Sequence, residues 1–172
     1  MDALECMVTR RSFRDYKPDA VPKELLEKII EAGVYAPTGM GRQAPVIVAI
    51  TNKKERDKLS KANAAVMGSD GDPFYGAPVV LVVLADRSVP TYLYDGSLVM
   101  GNLLNATHAV GLEGIWIHRA RETFEKPEWK EWLKEKGLTG DYEGIGNCAI
   151  GYPNSPARPA KERKANYVTY VE

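Results

Sequence analysis

Cysteine and histidine are scarce, with two of each in 172 residues, and neither sign of charge is in excess. Cys6 and Cys148 stand far apart with no CxxC pair, and His108 and His118 add no ligand spacing, so no metal is expected. Lys+Arg and Asp+Glu are equal at 23 each, which removes the global field that would gather a polyanion, and nucleic acid is not an expected partner. Long hydrophobic runs are missing too. The most apolar long segment, Tyr92 to Val110, is interrupted by Asp95, Asn102, Asn105 and His108, whereas a bilayer span needs about 20 mostly apolar residues. It reads as a buried helix, and no membrane association is expected. The opening Met1-Asp2-Ala3-Leu4-Glu5 lacks the basic-then-apolar order of a secretory signal, so a reducing, cytoplasmic setting is the default.

What is present suits a single domain over residues 1–172, with 44% hydrophobic and 27% charged residues. A chain of this size buries roughly two-thirds of its unfolded surface. Leu25, Leu26, Ile29 and Ile30 share one helical face between Pro22 and about Ala36, with Pro37 stopping the run. The Val- and Ile-rich runs Val46 to Thr51 and Pro78 to Ala85 predict two buried strands, separated by a polar helix from about Lys53 to Val66. Further strands are expected at Ile115 to Ile117, Gly144 to Tyr152 and Tyr167 to Val171, with a Trp-bearing helix from about Glu125 to Lys136. Strands alternate with helices, which predicts an α+β layered sheet with helices on both faces, its strand directions left open. The Pro-rich stretch Gly151 to Pro159 predicts an extended surface path that carries the last strand elsewhere.

Several segments carry chemistry. Arg10-Arg11-Ser12-x-Arg14 packs three guanidinium groups and a hydroxyl into five residues, suited to a phosphomonoester, with a solvated basic face as the alternative. Lys161-Glu162-Arg163-Lys164 is a second basic cluster, which either converges on the same phosphate or forms a solubilising tail. Gly39-Met40-Gly41-Arg42-Gln43-Ala44 mimics a dinucleotide fingerprint, but a helix precedes it and a strand follows, the reverse of what that motif requires. Gly111-Leu112-Glu113-Gly114 joins the buried helix to a strand, where glycines leave backbone N–H groups free to face a cofactor or simply cap the helix. His118 is isolated, Cys148 lies within an apolar run, and Trp129 and Trp132 either line a substrate opening or pack in the core.

Taken in order, these segments resemble the FMN-dependent nitroreductase family over nearly the whole chain. Arg10-Arg11-Ser12-Phe13-Arg14-Asp15-Tyr16 is similar to the family's phosphate and ribityl motif, and Ala36-Pro37-Thr38 through Gln43 resembles its Ala-Pro-Ser/Thr loop. Gly111 to Ile117 resembles its flavin-edge motif, and Gly151-Tyr152-Pro153 leading to Arg163-Lys164 resembles its closing segment. The resemblance implies that Arg10, Arg11, Ser12 and Arg14, joined by Arg163 and Lys164, hold the FMN phosphate and ribityl chain. It further implies that Pro37, Thr38 and Gln43 reach the flavin, some from a partner subunit, and that Asn63 bonds its pyrimidine ring. Backbone at Leu112, Glu113 and Gly114 would contact the ring near N5, and Arg14 would steady charge on the reduced pyrimidine. A homodimer with its C-terminal segment exchanged onto the partner is implied as well. Three positions depart from the pattern: Gly41 in place of a frequent Asn, Ala44-Pro45 in place of a Pro-Trp-like pair, and Glu113 in place of a second glycine.

The implied activity is hydride transfer from NAD(P)H, a transient donor, through FMN to a small-molecule acceptor such as a nitroaromatic or quinone. No side-chain nucleophile is required, because the cofactor carries the chemistry. The alternatives are reductive dehalogenation or another specialised flavin reaction on the same fold, and a non-catalytic flavin-binding sensor module.

Overall fold

The two Val- and Ile-rich runs pair directly with each other. In the computed structural model, which describes residues 1–172, β1 (Pro45–Ile50) and β2 (Val79–Asp86) are antiparallel neighbours with Val48 opposite Val82. β4 (Tyr142–Gly151) lies on the other side of β2, and β3 (Glu113–Ile117) closes the sheet in the order β1-β2-β4-β3. Every pairing is antiparallel, which settles the direction that the sequence left open. Ile145 forms a bulge in β4 where the register with β2 shifts between Val83 and Leu84.

β2 explains why its run is apolar without alternation. Val80, Val82 and Leu84 face one core with Leu59, Phe74, Ile115 and Phe124, while Val79, Leu81 and Val83 face a second with Ile29, Met100 and Leu103. A strand covered on both faces has no solvent side to mark with polar residues. The first core is roofed by α3 (Lys53–Met67), α5 (Ala120–Phe124) and α6 (Pro127–Glu135), and the second by α2 (Lys23–Val34) and α4 (Tyr92–Ala109). Gly144 lets α5 approach the sheet, since a Cβ there would lie 2.4 Å from the carbonyl of Ala120. No helix is long and apolar enough to cross a membrane.

Three local features depart from expectation, and one open choice is resolved. A short helix, α1 (Ala3–Thr9), opens the chain, capped by Asp2, whose carboxylate accepts from the Leu4 and Glu5 amides at 2.8 and 3.0 Å. The Trp-bearing helix forms as α6 within two residues of its expected bounds, with Pro127 in its first turn, but a short helix that was not expected, α5, precedes it. Trp129 and Trp132 belong to the core: their ring centroids lie 5.3 Å apart, and Trp129 meets Phe124 edge-on at the same distance. They line no substrate opening. The expected strand at Tyr167 to Val171 does not form within one chain; these residues are exposed, and a lone strand has no ladder partner for its backbone groups.

Candidate functional site

The opening segment and the stretch that follows β4 meet beside β3 and β4. After α1, the segment from Arg10 to Tyr16 runs beside β3: Ser12 bridges to Gly114, and the Phe13 amide donates to the Gly114 carbonyl at 3.4 Å. Phe13 and Tyr16 point inward and are buried, which turns Ser12 and Arg14 outward. Tyr16 then bridges to Pro153, and the Asn154 amide donates to the Asp15 carbonyl at 3.1 Å, so the closing segment is stitched to the opening one. Between them lies a hollow of about 60 Å³ lined by Ser12, Arg14, Asp15, Ser155 and Arg158. That space accommodates a phosphate-sized group and not a tricyclic ring.

Arg158 is the C-terminal cation at this hollow, and sequence reasoning passed over it in favour of the denser cluster that follows. Arg163 and Lys164 lie further along the exposed arm, where Lys164 Nζ stands 5.2 Å from the Tyr167 ring centroid. Arg11 donates to the Val8 and Arg10 carbonyls at 2.8 Å each, whereas Arg10 Nη1 is buried without a partner. A guanidinium nitrogen left in that state is a donor awaiting an acceptor.

At the start of β3, Glu113 turns its carboxyl toward α4. Oε1 lies 2.8 Å from His108 Nδ1, Oε2 is buried without a partner, and His108 Nε2 lies 2.9 Å from Thr9 Oγ1. Burial pushes the Glu113 carboxyl up, and His108, Arg10 and Arg11 pull it only part of the way back. Neither His108 nor Thr9 stood out in the sequence; the available signal was the spacing of His108 five residues before Glu113 across the Gly111 turn. Leu112 is fully enclosed and its amide donates to the Thr107 carbonyl at 3.1 Å, so neither its side chain nor its N–H is free for a ligand. Cys148 is a buried thiol whose pKa burial raises to about 12, which removes it as a nucleophile.

The loop after α2 forms a second group. The Thr38 hydroxyl accepts from the Gln43 amide at 3.2 Å, and Asp95 of α4 accepts from the Gly39 amide at 3.0 Å and the Thr91 hydroxyl at 2.9 Å. Met40 and Gln43 hold left-handed backbone at φ 54° and 51°, a conformation that disfavours side-chain-bearing residues by roughly 1–2 kcal/mol each. Pro37 is exposed. Thr38 and Gln43 rim an apolar hollow of about 290 Å³ floored by Ile30, Val46, Ile47 and Val99, distinct from the hollow at Ser12 and Arg158.

Asn63 does not join either group. Its amide donates to the His118 carbonyl at 2.9 Å, its oxygen accepts from Arg119 Nε at 3.0 Å, and it is fully buried. It fastens α3 to the turn after β3, where Arg119 sits at φ 72°, and cannot bond a flavin from there. A hollow of about 510 Å³ beside α3 is polar, and its Arg56 and Ser60 are committed to Asp72.

Comparison with known proteins gives this geometry a context. Residues 7–73 match the family model described as "Nitroreductase family". A protein of Methanothermobacter thermautotrophicus, provisionally described as an NADH dehydrogenase/NAD(P)H nitroreductase, is 30% identical over 120 residues; the match covers 67% of this chain and 60% of that relative's length. A nitroreductase with bound FMN from Bacteroides fragilis is similar over 100% of both chains, with a TM-score of 0.90 and 26% identity. A second, also with bound FMN, from Desulfitobacterium hafniense gives a TM-score of 0.88 at 26% identity, again over 100% of both chains. The basic segment laid along β3 and these matches lead to one conclusion: the chain belongs to the nitroreductase family.

Proposed function

We propose that the chain binds FMN as a homodimer in the cytoplasm and catalyses reduction of a small organic acceptor, such as a nitroaromatic or a quinone, by NADH or NADPH. When bound, the isoalloxazine supplies the redox chemistry, relaying two electrons from the reduced nicotinamide to the acceptor. The observation that carries the reading is the Ser12–Gly114 bridge, which sets a cationic, phosphate-sized hollow beside the start of β3. Two residues before Ser12, the buried and unpartnered Arg10 Nη1 adds a donor suited to an anionic ligand.

In this arrangement Ser12, Arg14, Ser155 and Arg158 hold the phosphate by charge-assisted hydrogen bonds, with Arg10 and Arg11 behind them. Arg163 and Lys164 contribute from the arm. The backbone of Glu113 and Gly114 would hold the ring edge. Pro37, Thr38 and Gln43 are supplied by the partner, since in one chain their hollow is separate from the phosphate hollow. A second copy also accounts for the apolar side chains left exposed on α1 (Leu4, Met7), at the end of α2 (Val34, Tyr35) and on α4 (Leu93, Tyr94). Cys6 and Cys148 are both free thiols, which suits a reducing compartment.

Rapid mixing of the FMN-loaded protein with NADH or NADPH tests the reading. Bleaching of the oxidised flavin absorbance, followed by its return on adding a quinone, is the expected result. A protein that retains FMN but shows no bleaching with either nicotinamide is a binding module and not an enzyme of this kind.

A further inference from the structure

Thr9 at the end of α1, His108 in the last turn of α4 and Glu113 at the start of β3 form a row that phosphate binding does not use. Counting protons along it fixes where they lie. Thr9 Oγ1 is 2.7 Å from the Glu5 carbonyl oxygen, and only the hydroxyl can supply a proton to that contact. The Thr9 oxygen therefore accepts from His108 Nε2–H across their 2.9 Å contact. With Nε2 protonated, the 2.8 Å contact between His108 Nδ1 and Glu113 Oε1 must hold a further proton. Either an imidazolium faces a carboxylate, or a neutral imidazole faces a carboxylic acid. In both states the couple carries one transferable proton, and its loss would leave two lone pairs facing each other.

The surroundings keep this proton near the proposed ring edge. The Glu113 and His108 side chains are 12% and 14% exposed, enclosed yet within reach of solvent. The charged and titratable groups facing Glu113 are His108 from α4, Arg10 and Arg11 from the segment after α1, Cys6 from within α1, and Tyr16 beside β4. Of these only His108 is hydrogen-bonded to the carboxyl, while the Cys6 thiol donates to the Asn105 carbonyl and the Tyr16 hydroxyl to the Phe13 carbonyl. Oε2, buried without a partner, is the free face of the couple.

We propose that His108 and Glu113 are the proton reserve of the reaction, holding one proton beside the reactive edge and releasing it as the acceptor is reduced. Thr9 is a positioning residue that fixes which imidazole nitrogen faces Glu113. The use of the proton rests on the function proposed above; its existence does not. Overall, a reduced nicotinamide, one acceptor and one proton give the oxidised nicotinamide and the dihydro-acceptor. The nicotinamide loses two electrons and the acceptor gains them. One hydrogen reaches the acceptor with the electron pair, and the other comes from the couple, whose bond to hydrogen breaks as the acceptor's new O–H or N–H bond forms. The couple then recovers a proton from water.

Two measurements test this. In cofactor-free protein, nitrogen-15 at the His108 imidazole and carbon-13 at the Glu113 carboxyl should titrate together with shared midpoints, as a strongly coupled pair does. Independent titration of the two would overturn the reserve whatever the protein's activity. In the FMN-loaded enzyme, His108→Gln and Glu113→Gln should each lower kcat by about 100-fold, within the range for positioned proton donors. The wild type should show an alkaline fall in rate and a solvent isotope effect, and both variants should abolish them. Unchanged pH profiles and isotope effects in both variants would remove the couple from the reaction. Absence of FMN binding in the wild type would instead defeat the proposed function and leave the linked titration standing.

Discussion

Among single residues, the two ends of the chain contribute unequal cations. Arg158 lines the hollow with Ser12 and Arg14, whereas Arg163 lies on the exposed arm. Arg158→Ala should therefore weaken FMN binding by about 1.5–3 kcal/mol, the worth of one charged hydrogen bond. Flavin fluorescence titration of both variants checks this, and a larger loss for Arg163→Ala than for Arg158→Ala would reverse the ranking. Asp72 makes a separate prediction about stability. Burial pushes its carboxyl up, but hydrogen bonds from Arg56, Ser60 and the Gly76 and Phe74 amides outweigh that, leaving it below the ordinary range. A folded-state value below the unfolded one means stability present above the ordinary carboxylate range and lost as pH falls through the depressed value. Urea unfolding should show this acid loss in the wild type and a smaller one in Asp72→Asn, which should itself cost about 1–3 kcal/mol at neutral pH.

Among the elements, the packing of α6 and the anchoring of the Thr38–Gln43 loop each rest on one side chain. Trp129 is 2% exposed and touches both Phe124 and Trp132, so Trp129→Ala should destabilise the protein by about 3–5 kcal/mol. Thermal unfolding will show it, and a loss under 1 kcal/mol would mean that the aromatic cluster is not part of the core. Asp95→Ala strands the Gly39 amide and the Thr91 hydroxyl and should speed hydrogen exchange at Gly39 well before the helices open. The elements most legible in the sequence were those with a strong period or a long apolar run: α2, α3, α4, β1 and β2 all begin and end within about two residues of expectation. What escaped was set by contacts distant in sequence. α1 is too short to show a period, Asn63 reads the same whether it faces a ligand or the His118 carbonyl, and the path of the arm past Pro153 decides which arginine meets Ser12.

For the molecule as a whole, one chain offers a phosphate-sized hollow at one place and an apolar hollow at another, together with uncovered apolar helix faces and an exposed arm bearing Tyr167, Val168, Tyr170 and Val171. In the proposed dimer these features meet, and the two copies complete each other's flavin sites. β1 is an edge strand with half-exposed residues, and strand-forming side chains on the arm are suited to such an edge. Removal of residues 160–172 should accordingly weaken dimerisation and FMN retention together. The most direct test is sedimentation of the purified protein across a titration with FMN, recording flavin absorbance and mass in the same boundary. The expected result is a dimer carrying one FMN per chain. A monomer that binds FMN just as tightly, or a dimer that takes up none, would contradict it.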